Sequence, residues 1–153
     1  MIFKHLNKYL FCIFAVFLCI SCTTQYEKLG VFEGIKKEFV GVDFNKKTSL
    51  FVFSDIDCST CIYYIQGTRK KISPNTQILG LYLNVNPKAK FGYQDLLDET
   101  KNEIKWVSMK DRKLFGLISQ CTQAGASPFL VEIENNKIIS VEPLVDIIKK
   151  QDK

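Results

Sequence analysis

The chain has 153 residues, 46% hydrophobic and 24% charged. That balance excludes a disordered polypeptide and suits one domain with a single core. The formal charge of +5 is scattered along the sequence. No dense Lys/Arg cluster carries interleaved aromatics, so a mildly basic, solvated surface is expected and no nucleic-acid partner.

Lys4, His5 and Lys8 precede an apolar run from Tyr9 to Ile20, short for a membrane span and of the length of a signal-peptide core. With Cys19-Ile20-Ser21-Cys22 at its end, the segment resembles a bacterial lipoprotein signal. The resemblance implies cleavage after Ser21 and lipidation of Cys22; Cys19 stands where such signals usually carry Leu. An ordinary cleaved signal and an uncleaved anchor are the competing readings. The expected organisation is a signal over 1–21, a polar tether over 22–28 and one domain over 29–153. Export permits disulfides. Of the six cysteines, Cys12 and Cys19 leave with the signal and Cys22 is acylated, so Cys58, Cys61 and Cys121 remain: one pair and one leftover thiol.

Leu29 to Asn45 has helical spacing in its first half and strand-like alternation in its second. Ser49 to Ser54 is a continuous apolar strand, as in the middle of a parallel sheet. Asp55-Ile56-Asp57 links it to a helix over 58–71, with Asp57 as N-cap and Ser73-Pro74-Asn75 as the stop. A strand over 77–84, a helix over 93–104, a short strand over 105–109 and a helix over 111–121 follow. Phe129 to Ile133 is a strand, Glu134-Asn135-Asn136-Lys137 a hairpin turn and Ile138 to Val141 the return strand. Pro143 opens a closing helix to Lys150. The order β-α-β-α-β-α-β-β-α predicts an α/β fold: a mixed, mostly parallel sheet with helices on both faces and a terminal hairpin plus helix.

Chemistry concentrates at Cys58-Ser59-Thr60-Cys61, between the buried strand and the helix. Two thiols in the first turn sit in the positive field of the helix dipole, which favours the thiolate, the nucleophile of disulfide exchange. Far along the chain, Ser127-Pro128 stands directly before a buried strand, where proline removes a ladder donor. A cis bond held to shape a site would account for it. From Ser49 to Lys150, this pairing of a CxxC after a strand with a proline before a hairpin resembles the thioredoxin superfamily. The extra helix and strand over 93–109 resemble its TlpA-like, membrane-anchored thiol–disulfide oxidoreductases.

The resemblance implies a thioredoxin-like fold with the proline loop lying against the CxxC. Cys58 would be the attacking thiol, Cys61 the resolving one, and Ser127 and Pro128 the residues that position substrate. Asp57 replaces the tryptophan that precedes the first cysteine in thioredoxins, and Ser59-Thr60 lacks the usual Pro or His. Asp55 and Asp57 add negative charge, which should raise the Cys58 pKa and favour a reducing poise. The expected partners are protein disulfides, an envelope thiol electron donor, and a bacterial membrane held through Cys22. No organic cofactor is expected. No metal is expected either, because structural zinc asks for four ligands and His5 departs with the signal. The alternative is a non-catalytic thioredoxin-like lipoprotein that binds a partner and uses Cys58–Cys61 as a staple. A peroxidase fits less well, since no Thr or Pro stands just ahead of Cys58. Cys121 reads as a small buried hydrophobe, with a redox role beside the CxxC as the lesser reading, and Trp106 as core.

Overall fold

Strand β1 (Thr48–Ser54) is buried at every residue, which only the middle of a layered sheet provides. The computed structural model describes residues 30–54, 59–85, 93–109, 111–122 and 128–151. The described elements run α1 (Val31–Glu38), β1, α2 (Ser59–Arg69), β2 (Gln77–Leu83), α3 (Tyr93–Thr100), β3 (Lys105–Ser108), α4 (Arg112–Gln120), β4 (Phe129–Glu134), β5 (Lys137–Pro143) and α5 (Leu144–Gln151). The sheet order is β3-β2-β1-β4-β5. β1 is parallel to β2, and β2 to β3; β4 is antiparallel to both β1 and β5. Four of the five strands therefore point one way. This is the mixed α/β architecture, with terminal hairpin and helix, that the thioredoxin resemblance implies.

Alternation along the strands divides the core. Leu50, Val52, Leu79, Leu81, Val131 and Ile133 face one side, where Val31 and Ile35 of α1 and Leu114 and Ile118 of α4 cover them. Phe51, Phe53 and Leu130 face the other, under Ile65 of α2, Leu96 of α3 and Leu144 of α5. Two glycines permit close approaches. A Cβ on Gly34 would lie 2.6 Å from Leu114 Cδ1, where α1 crosses α4, and a Cβ on Gly80 would overlap the Trp106 ring laid across β2.

Most expected elements are present, with shifted ends. α2 stops at Arg69 because the chain tightens: the Lys71 N–H bonds to the Thr68 carbonyl and Ile72 to Arg69. α3 stops at Thr100, whose hydroxyl donates to the Leu96 carbonyl and accepts from Trp106 Nε1 at 2.8 Å. α4 has its cap: the Asp111 carboxylate accepts from the Lys113 N–H at 2.8 Å. Asn135 and Asn136, at φ 53° and 59°, make the two-residue hairpin turn that needs left-handed residues.

Two expectations fail. The strand-like alternation after α1 forms no strand. Phe39 and Phe44 do turn inward, but Gly41 takes φ +79°, and the Asn45 N–H is bound locally by the Asp43 carboxylate. The segment is instead held as a loop against the hairpin turn, where the Asn135 and Asn136 N–H groups donate to the Asn45 and Phe44 carbonyls. Pro143 is also not in the helix. It ends β5, paired with Phe129, and α5 starts one residue later.

Candidate active site

Pro128, one of the residues expected at the site, lies where β1 ends and β4 begins. The β1–β4 ladder pairs Val52 with Phe129; one step beyond stand Phe53 and Pro128. Two segments 75 positions apart in the chain thus meet at one end of the sheet. Pro128 is buried and donates nothing, but its carbonyl accepts the N–H of Leu144 at 2.9 Å. That bond satisfies a first-turn donor of α5, which has no partner inside the helix. The residue before β4 is therefore tied on one side to the central strand's ladder and on the other to the closing helix.

Ser59, Thr60 and Cys61 are the first three residues of α2. No acidic residue occupies that first turn, so nothing within it offsets the positive end of the helix dipole. Cys61 stands one turn ahead of Ile65, which is fully buried against the sheet. Asp55, Asp57, Cys58, Ser127 and Cys22 lie outside the described residues, as does the Ser127–Pro128 peptide bond. Of the predicted constellation, the structure thus shows Pro128 beside the end of β1 and Cys61 in the first turn of α2.

Beneath the strand end is a group of rings that the sequence reading did not assemble. Phe53 lies edge-on to Trp106 at 5.5 Å and stacked with Tyr82 at 6.1 Å. Tyr93 of α3 lies 6.5 Å from Phe53 and 6.0 Å from Tyr82. Trp106, half-buried, packs against this side of the core. Tyr82 and Tyr93 come from separate segments, and no local period links them. Edge-to-face and offset rings resist sliding, so the cluster fixes the last residues of β1, from which the chain departs toward α2.

The third candidate thiol is elsewhere. Cys121 caps the C-terminus of α4, packs against the α1–α4 side of the core and donates to the Leu117 carbonyl at 3.3 Å. Burial pushes its thiol pKa up, the opposite of an activated nucleophile. Among the described residues, no three His, Cys, Asp or Glu side chains converge as a metal would need, and no helix is long and apolar enough to cross a membrane.

No protein-family model matches the sequence, and no curated protein matches it. Several solved structures are similar. The thioredoxin domain of the thiol-disulfide oxidoreductase BVU-2223 from Bacteroides vulgatus is 15% identical, with a TM-score of 0.45 over 72% of this chain and 83% of that one. A putative thioredoxin from Neisseria meningitidis is 14% identical, with a TM-score of 0.46 over 71% of this chain and 73% of its own. StoA from Bacillus subtilis is 15% identical, with a TM-score of 0.44 over 71% of this chain and 84% of its own.

Proposed function

We propose that the chain is an envelope thiol–disulfide oxidoreductase that works through Cys58 and Cys61, held to a membrane by a lipid on Cys22. The observation that carries this reading is the register: Val52 opposite Phe129 puts Pro128 at the strand end that leads into α2. A CxxC at a helix start, facing a proline-led strand from the other end of the chain, is what exchange with an extended polypeptide needs. Ser127 and Pro128 would then offer backbone for the bound segment to pair with as an added strand.

The chemistry follows from the thiols. The Cys58 thiolate attacks one sulfur of a partner disulfide. A Cys58–partner disulfide forms, and the partner's other sulfur leaves as a thiolate and takes a proton. The Cys61 thiolate then attacks Cys58, closing the Cys58–Cys61 disulfide and releasing the second partner thiolate. The partner gains two electrons and the protein loses two; an envelope thiol donor restores the dithiol. Cys61, one turn ahead of a fully buried position, suits the sheltered resolving role. Asp55 and Asp57 flank Cys58 with negative charge and oppose its ionisation, which supports a reducing poise; a reduction potential near the oxidising limit of about −120 mV would contradict it.

The test is insulin reduction by the protein, by Cys58→Ser and by Cys61→Ser. Turnover in the parent and its loss in both variants is the expected result. An inactive parent whose disulfide resists dithiothreitol would establish the staple instead.

A further inference from the structure

We propose that the end of the sheet remote from Cys61 is a docking face for the anionic headgroups of a membrane, carried by Lys46, Lys47, Lys70, Lys71, Lys105 and Lys137. The proposal rests on the lipid-anchored reading above. All six lysines are exposed. They are dispersed in the sequence and gathered by topology. Thr48 is paired with Gln77 and with Ile133, and the Gln77 N–H bonds to the Lys47 carbonyl. The start of β1, the start of β2 and the end of β4 therefore share one end of the sheet. Lys46 and Lys47 precede β1 there, and Lys70 and Lys71 follow α2 as it turns back into β2. Lys137 pairs with Glu134 at the hairpin tip, and Lys105 opens β3.

The carboxylates at this end are fewer. Glu103 is bound to Arg69, Asp43 accepts from the Asn45 N–H, Glu134 shares the hairpin, and Glu132 is turned inward with Ser49. A helix dipole accounts for positive charge after α2. It does not account for Lys46 and Lys47, which precede β1, or for Lys105 and Lys137, which open β3 and β5. At the opposite end, Asp95 and Asp146 stand in the first turns of α3 and α5 and Asp111 caps α4. Arg112 and Lys113 share that end, so acids and bases are near balance there, whereas lysines exceed carboxylates at the first.

The occupant follows from complementarity and from the chain ahead of Gly30. Juxtamembrane lysines are attracted to anionic headgroups, and on a chain already tethered through Cys22 that attraction sets which face meets the bilayer. Seven residues separate Cys22 from Gly30 and reach about 25 Å, roughly twice the length of α1, so the anchor permits the contact. Docked this way, β1 alone holds the start of α2 about 20 Å above the bilayer, facing polypeptide substrates.

The test uses the lipidated full-length chain, purified from membranes and reconstituted on the outside of vesicles of phosphatidylcholine alone or with a part of phosphatidylglycerol. Amine labelling of each lysine is followed by mass spectrometry. On the anionic vesicles the six lysines should label roughly fivefold more slowly, Lys113 near the opposite end should not change, and about 0.5 M salt should erase the difference. In the K46Q/K47Q/K70Q/K71Q variant, Lys105 and Lys137 should label at the phosphatidylcholine rate. Equal labelling on the two vesicles, or equal protection of Lys113, overturns the proposal. A chain that fails to float with phosphatidylcholine vesicles refutes the anchor instead; its labelling on anionic vesicles then still decides whether the lysine face binds.

Discussion

Glu132 shows how burial sets the state of a single group. It stands mid-strand in β4; its Oε1 accepts from Ser49 Oγ at 2.8 Å, and its Oε2 is buried with no hydrogen-bond partner among the described residues. Burial raises the carboxyl pKa; the Ser49 bond and the Lys47 charge oppose the rise, and Glu142 adds to it. A carboxyl raised in the folded state binds its proton more tightly there than in the unfolded chain. Its contribution to stability is therefore favourable below the folded pKa and is lost as pH climbs from the usual glutamate value of about 4.3 through the folded one. Glu132→Gln keeps an acceptor for Ser49 and removes the charge. Its melting temperature should exceed the parent's at pH 7, with the gap closing toward pH 4; a lower value at pH 7 would count against this account. Cys121 is the second case. Its raised pKa and its bond to the Leu117 carbonyl predict slow alkylation at pH 7.5, and Cys121→Ala should retain full insulin reduction.

At the scale of elements, packing selects which residues can be small. Gly80 lets β2 pass beneath the Trp106 ring, and Trp106 in turn touches Phe53 at the end of β1. Gly80→Ala would push that ring away, at a cost of about 1–3 kcal/mol. Since Trp106 is the single tryptophan, a changed emission spectrum together with a lowered denaturation midpoint would report it; an unaltered spectrum would disprove the contact. The cap of α4 is more modest. Asp111→Ala removes the acceptor for the Lys113 N–H and should cost about 1 kcal/mol, read from urea unfolding.

Across the whole molecule, the sheet is ordered by burial from centre to edge. β1 is closed on both faces and paired on both sides; β3 has four residues, none fully buried. Native-state hydrogen exchange should be slowest at the β1 amides and fastest among the strands at β3. The same directionality sorts charge. Helices that follow parallel strands start at one end of the sheet and finish at the other, so the acidic first turns of α3 and α5 lie at the end where Pro128 does and most of the exposed lysines named above at the other. The start of α2 and the end of the sheet that carries the six lysines are separated by the length of a strand because the chain crosses between them in each direction.

Several of these features could be read from local patterns. The unbroken run Leu50-Phe51-Val52-Phe53 announces a central strand, the apolar spacing after Asp111 a helix and Asn135-Asn136 a hairpin turn, because each depends on a few neighbouring residues and on backbone preference. Others depend on contacts between distant segments. The alternation of Val40, Val42 and Phe44 looks like a strand, but Val40 is exposed and the chain turns at Gly41. Pro143 looks like a helix opener but is held in β5 opposite Phe129. The ring group of Phe53, Tyr82, Tyr93 and Trp106, the ionisation of Glu132 and the clustering of six dispersed lysines arise only when the strands align. A chain of 153 residues specifies its elements through short-range sterics and hydrophobic period; which of its charges, rings and thiols become neighbours is settled by register, a long-range property with no local signature.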